Sequence, residues 1–450
     1  MARHFVFTFG NIVNILLKQT RRSSSSPSPT EAIFKSKLMI LSRVEPIGIS
    51  VGVSSGQVSS FQPFPFSPGF DIQKVASLAE SRPSHSWEYG TTAQALLELY
   101  NPSLSVFGET PFPVLKGNRG IRALDYAKAK ITLGHGANSL SSSDGSTSDP
   151  ASLGVSAVMI GKGDTRYAQA AQETVDFLMN SAPRYYNGAI SHRVSTPELW
   201  ADFMYMVPPF LAYYAVDTWN ETLLIESVKQ CELYRQVLQI NTSGPYEGIW
   251  QHIIGPESQD AGLWSSGNGW AAAGMTRVLA TVLKAPIQAE GTPWRKHAIQ
   301  NLTLWITEIL DGAIASSPDD GLMRNYIDDS DPDARGFGEI SGSSLLAAVA
   351  YRLAVLQPQI GGGKYLQWAD WMRGVLGGKD AGGLPHISQE GIAMPAVNPL
   401  TWQDVKPFTQ GSPEGQAFVV LMYSAWRDCV LCGRCARNQE KNVQDKVQTS

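Results

Sequence analysis

From about residue 85 onward, apolar positions recur at helical spacing, and runs of β-branched residues alternating with polar ones are few. The pattern predicts a helix over 87–100, ended by Asn101-Pro102, and another over 121–133, ended by Gly134. A Ser/Gly loop covers 139–148. Asp149, with Pro150 behind it, reads as the cap of a helix to about Ile160, and Asp164 as the cap of the next, over 165–179. On that second helix Tyr167, Ala171, Val175 and Leu178 share one face. Pro197 opens a predicted long helix through Val216, and 219–238 runs back from it. The pairing then recurs as 269–283 with 293–314 and 343–356 with 365–376, before a last helix over 414–428. The sum is five helix pairs and a sixth helix, whose partner is expected before residue 87.

Repeated antiparallel helix pairs build either an α-solenoid or a closed toroid. These pairs do not resemble one another in sequence, which disfavours a repeat solenoid. The expected fold is all-α, an (α/α)6 barrel. The long loops fall at alternating junctions and are rich in Trp, His and Asp. In a closed barrel those junctions share one end, which becomes the functional face.

Composition narrows the class. The 450 residues are 43% hydrophobic and only 17% charged, which argues against a disordered chain. Four cysteines in this length are too sparse for a disulfide scaffold. A net charge of −4 argues against nucleic acid as a partner, and no apolar run reaches the roughly 18 residues of a membrane span. The charge is uneven, however. Residues 1–60 hold seven basic and two acidic side chains and include the Ser/Pro stretch Ser23–Thr30. They read as a signal or transit peptide, or as an extension upstream of a start at Met39. The domain plan is therefore a leader over 1–60, a barrel over 61–436 and a polar tail over 437–450. Secretion is the expected location, with the cytoplasm as the alternative; sequons at Asn220, Asn241 and Asn301 are compatible with export. Cys429, Cys432 and Cys435 suit either three zinc ligands or buried thiols on one helix face, and no disulfide pairing can be assigned.

Several polar residues stand where chemistry is expected. Asp202 lies among Trp200, Phe203, Met204, Tyr205 and Met206, an apolar setting that would raise a carboxyl pKa and suit it to donate a proton. The plain alternative is a first-turn acid on a helix dipole. His192 and Arg193, in the loop before, can hold a carboxylate or simply sit on a surface loop. Asp149 is either a cap or a second carboxylate on the same face. His252 precedes Trp264, Asn268 and Trp270, which flank and form a Gly-Asn-Gly turn at a helix start. Trp rings there can stack on sugars or belong to the core. Glu339 and the Gly411–Phe418 segment carry capping residues and can complete a pocket rim.

The order of these motifs resembles the unsaturated uronyl hydrolases of glycoside hydrolase families 88 and 105. The motifs are His192-Arg193, Trp200-Ala-Asp202-Phe-Met-Tyr-Met-Val-Pro-Pro-Phe210, His252, Trp264-Ser-Ser-Gly-Asn-Gly-Trp270, Glu339-Ile-Ser-Gly-Ser343 and Gly415-Gln-Ala-Phe418. The resemblance spans about 87–428. It implies a cofactor-free, metal-free hydrolase on the (α/α)6 barrel, acting as a monomer on oligosaccharides left by polysaccharide lyases. Such enzymes hydrate the C4=C5 double bond of a terminal uronic acid. The resemblance places the acid/base on Asp202 and a supporting acid on Asp149. It places substrate contacts on His192, Arg193, His252 and Trp264, with Asn268, Trp270 and Trp87 as further contacts. Arg193 stands where the family commonly has Lys, and Ser266 where it often has Arg. An ordinary glycosidase and a non-catalytic sugar-binding toroid stay open as alternatives.

Overall fold

A computed structural model describes residues 64–116, 120–241, 243–287 and 293–436. The leader assigned to 1–60 and the tail assigned to 437–450 lie outside the described residues. Twelve α-helices run through the described part. They are α1 Ile72–Ser81, α2 Ser86–Tyr100, α3 Arg122–Lys130, α4 Gly154–Gly161, α5 Thr165–Asn180, α6 Phe203–Asp217, α7 Glu221–Leu238, α8 Ser265–Lys284, α9 Pro293–Ala315, α10 Ile340–Leu356, α11 Lys364–Leu376 and α12 Pro413–Leu431. A 3-10 segment, Asp149–Leu153, leads into α4. Two short strands, β1 Leu199–Trp200 and β2 Ile253–Ile254, pair antiparallel with Trp200 opposite Ile253.

The even-numbered helices form an inner ring, with the 3-10 segment extending α4. Each packs on the next, and α12 returns to α2, so the ring closes. The odd-numbered helices pack outside, and α1 is the expected partner of α12. Sequence explains the division. α5 buries one stripe, Tyr167, Ala170, Ala171, Thr174, Val175 and Leu178, and shows water the rest. α8 is buried at every position from Ser265 to Val282. A helix apolar or small all round belongs inside, and an amphipathic one belongs on the outer layer.

Close approach within the inner ring needs small residues and freed carbonyls. Pro208 and Pro209 lie inside α6. Pro208 has no N–H for the Met204 carbonyl four residues back. That carbonyl faces Gly274 of α8, where an added Cβ would lie 1.9 Å from its oxygen. Gly90 of α2 plays the same part against Ser152, whose hydroxyl would stand 2.2 Å from an added Cβ.

Toward the C-terminal ends of these helices a buried ionic network ties four of them together. Glu98 of α2 accepts from Arg277 of α8 and, at 2.7 Å, from Arg352 of α10. Arg352 also reaches Asp428 of α12 at 2.6 Å, and Arg427 donates to the Leu99 carbonyl at 2.7 Å.

Four sequence expectations need correction. α6 starts at Phe203, not Pro197, because Leu199–Trp200 is drawn into pairing with β2. α8 starts at Ser265, so Gly267-Asn268-Gly269 lies inside the helix and is not a turn before it. Asp149 is not a cap: it is the first residue of the 3-10 segment, and Ser148 holds the cap position. Cys429 and Cys435 form a disulfide, with Cα atoms 5.3 Å apart, while Cys432 is exposed. The cysteine trio is therefore neither a zinc-ligand set nor a row of buried thiols.

Two glycines test this packing. Gly374 lies exposed in α11 with open space around an added Cβ. Gly374→Ala is expected to stabilise by about 0.5–1 kcal/mol in chemical unfolding, whereas Gly274→Ala is expected to destabilise by about 1–3 kcal/mol.

Candidate active site

The N-terminal ends of the inner helices and the loops before them surround one cavity of about 260 Å³. Trp87 comes from the first turn of α2, Asp149 from the 3-10 segment, Asp202 and Met206 from the head of α6, and Glu414 from the first turn of α12. Loops contribute His85, Asp144, His192, Arg193, His252, Trp264 and Trp402, and β1 contributes Trp200. Six of the sequence candidates therefore converge beside Trp87: Asp149, His192, Arg193, Asp202, His252 and Trp264.

Backbone pairing sets the floor. The Ala201 N–H donates to the His252 carbonyl at 2.9 Å, next to the β1–β2 pair. This places His252 Nε2 3.2 Å from Asp202 Oδ2. The two atoms are in close ionic contact, though not aligned as a hydrogen bond, and neither has another polar partner. The Asp202 side chain does not cap α6, so its carboxyl is left facing the cavity. On the other side of the ring, His252 Nδ1 stands 3.1 Å from Asp260 Oδ2. Asp260 is itself held by the Tyr326 hydroxyl, the Gly262 N–H at 3.1 Å and Trp402 Nε1 at 3.3 Å. Burial alone would lower the His252 pKa, but the two flanking carboxylates outweigh it and raise it. Burial works against charge on Asp260 as well, yet His252 and the Tyr326 hydroxyl hold its pKa down at about 2. The imidazole thus stands between two acids that favour its protonated form.

Asp149 behaves differently. Burial pushes its pKa up to about 7, and the Asp202 charge adds to this against opposing hydrogen bonds from Ser146 and Ser148. Near neutrality this carboxyl is therefore divided between its protonated and ionised forms. His192 is 4% exposed, stacks on Trp200 at 4.5 Å and has Nδ1 2.8 Å from the Ser148 hydroxyl. Burial drives its pKa down to about 3, so it is neutral. Of the pair expected to hold a carboxylate or to sit on a surface loop, only Arg193 brings charge, with its guanidinium 4.8 Å from the Trp200 ring centre.

Two candidates belong to the core instead. Trp270 is fully buried against Tyr205 and Phe418. Asn268 is 1% exposed, and its amide ties down the Trp250 N–H and the Trp250 and Trp264 carbonyls. It anchors the loop that carries His252. Trp264 reaches the cavity only in part. It is 2% exposed, with Nε1 donating to Asn325 at 2.8 Å and its ring against His252. The more open rings are Trp87 and Trp402. Glu339 caps α10 through the Ser341 and Gly342 N–H groups and is not in the cavity wall.

Sequence reasoning missed Trp200, Trp402 and Asp260 as site residues. Asp260 left no local signal, because its partners His252, Tyr326 and Trp402 meet it only in the fold. Glu414 carried a weak one, as an acid in the first turn of the last helix.

The model of Glycosyl Hydrolase Family 88 matches residues 149–371. The unsaturated rhamnogalacturonyl hydrolase YesR of Bacillus subtilis is 27% identical over 124 residues, which is 26% of this chain and 36% of that protein's length. The chain thus matches little more than a third of that relative. Among solved structures, a possible family 105 member from Salmonella enterica aligns with a TM-score of 0.59 at 15% identity, over 79% of this chain and 92% of that one. The unsaturated glucuronyl hydrolase of Bacillus sp. GL1 aligns with a TM-score of 0.51 at 13% identity, over 80% and 94%. At such identities the structures speak for the shared barrel. Family model and fold agree: residues 149–371 match Glycosyl Hydrolase Family 88, and the fold is the (α/α)6 barrel of those solved structures.

Proposed function

We propose that the protein hydrolyses lyase-generated oligosaccharides by hydrating the C4=C5 double bond of a terminal unsaturated uronic acid, of the pectin or rhamnogalacturonan kind. The observation that carries this reading is the meeting of Asp149, Asp202, His252 and Arg193 in one Trp-lined cavity. Arg193, and the partial positive charge at the surrounding helix N-termini, suit a carboxylate substrate. The activities for which the Bacillus relatives are named agree with the same class.

Asp202 takes up a proton from the adjacent His252 and delivers it from its carboxyl to C4 of the vinyl ether. The electron pair of the double bond forms the new C–H bond, and the cationic C5 is stabilised by the ring oxygen. Water adds at C5 and gives a proton back through Asp202 to His252, so the site returns to its starting state. The hemiketal so formed opens and releases the next sugar. Asp149, in its protonated form, donates a hydrogen bond without setting another negative charge beside an anionic sugar. The Cys429–Cys435 disulfide supports an oxidising, exported setting.

Loss of vinyl-ether absorbance on unsaturated pectin disaccharides tests the activity. Asp202→Asn is expected to lower kcat by about 10³-fold or more with the fold retained, and activity within tenfold of the parent would reject the role of Asp202. Asp260→Asn removes the anion that raises the His252 pKa, and kcat is expected to fall by about 10²-fold. The pH profile follows from Asp149. Its proton is bound below a pKa of about 7 and lost above it, so kcat/KM should fall as pH rises through that value. Asp149→Asn, which cannot ionise, should lose that alkaline limb. A limb unmoved in this variant would assign it to another group.

A further inference from the structure

Glu414 enters neither the mechanism above nor the span matched by the family model, which ends at residue 371. It lines the reaction cavity from the first turn of α12 and is only 2% exposed. One oxygen, Oε1, accepts from Trp87 Nε1 at 3.1 Å. The other, Oε2, is buried with no protein partner. A buried carboxyl oxygen left unmatched at a cavity wall is costly unless something entering the cavity satisfies it.

The charges around it decide its state. The groups acting on it include Asp202 at the head of α6, Glu88 of α2 and Glu339 ahead of α10, all acidic. Burial, then the Asp202 and Glu88 charges, push its pKa well above the ordinary carboxyl value against the Trp87 hydrogen bond. Arg193, across the same cavity, is occupied with the Trp200 ring. Burial among acids favours the protonated form, and a protonated carboxyl has one O–H to donate.

We infer that Glu414 is a substrate-binding residue that donates a hydrogen bond from its free carboxyl oxygen to a sugar hydroxyl, while its other oxygen fixes the Trp87 ring as a wall of the same subsite. This rests on the activity proposed above. It adds a specificity contact supplied by the last helix, and it requires the acid as a donor and not as a charge.

The test compares side chains that fill the same space. Glu414→Gln keeps both an acceptor for Trp87 and an N–H donor. Its kcat/KM on an unsaturated pectin disaccharide is expected to stay within about threefold of the parent. Glu414→Met and Glu414→Ala have no donor; KM is expected to rise about tenfold or more, with kcat changed far less. A Gln variant as damaged as Met or Ala would overturn the inference, since it would show that charge is needed. Donor-less variants with unchanged KM would overturn it as well. Should both fail to fold in thermal melts, the Gln variant decides alone: retained activity supports the donor role, and a loss beyond tenfold rejects it. Absence of turnover by the parent protein on every unsaturated substrate would reject the activity and this inference with it. With the parent active, the Glu414 result stands separately.

Discussion

Glu98, 1% exposed, is the point on which the ring depends. Two guanidiniums from different helices close on its two oxygens, and the second of them goes on to Asp428. Removing one partner from such a set leaves the others charged and buried, which costs far more than the set gains by forming. The arrangement therefore acts as a fixed registry for α2, α8, α10 and α12. Turning any of these four helices by one residue, about 100°, would break the network. It would also swing that helix's head away from the cavity at the other end. Geometry at one end of the barrel is thus held by ions at the other.

The cavity gathers acids, which is unusual for a site meant to receive an anion. The protein manages this by protonation and pairing. Asp149 and Glu414 are pushed toward their neutral forms by burial and by the acids around them. Asp202 and Asp260 instead share one imidazole. The surplus negative charge is thereby spread over a protonated histidine, and Arg193 with the helix N-termini sets the sign felt by a ligand. Asp149 and Asp260 shift in opposite directions: burial and the Asp202 charge prevail at Asp149, whereas the His252 and Tyr326 hydrogen bonds prevail over burial at Asp260.

Much of this was legible in the chain. The helix pairing follows from periodicity, and the unlikeness of the pairs to one another favoured a closed ring over a solenoid. The helix starts around the cavity were less readable. Pro197 looked like a first-turn proline, but two apolar residues after it are claimed by a strand partner more than fifty positions away. Gly267-Asn268-Gly269 looked like a turn, but the glycines are there for contact with Ala201 and Leu345. Trp270 and Trp264 sit six residues apart with opposite fates, one in the core and one at the cavity edge. Composition cannot tell them apart, because both positions favour a large ring. Asp260 shows the limit most clearly: a lone acid in a polar loop gains its role only from three partners brought to it by folding.

Trp87 and Glu414 touch across 327 positions of sequence, the first inner helix meeting the last. Closing so long a loop costs only logarithmically more than closing a short one, so the contact is affordable, but it cannot form early. The cavity wall stays open until the sixth inner helix docks. On a ribosome, the residues matched by the family model are made before the segment that completes their site. Competence is therefore conferred late, by the last of the described helices.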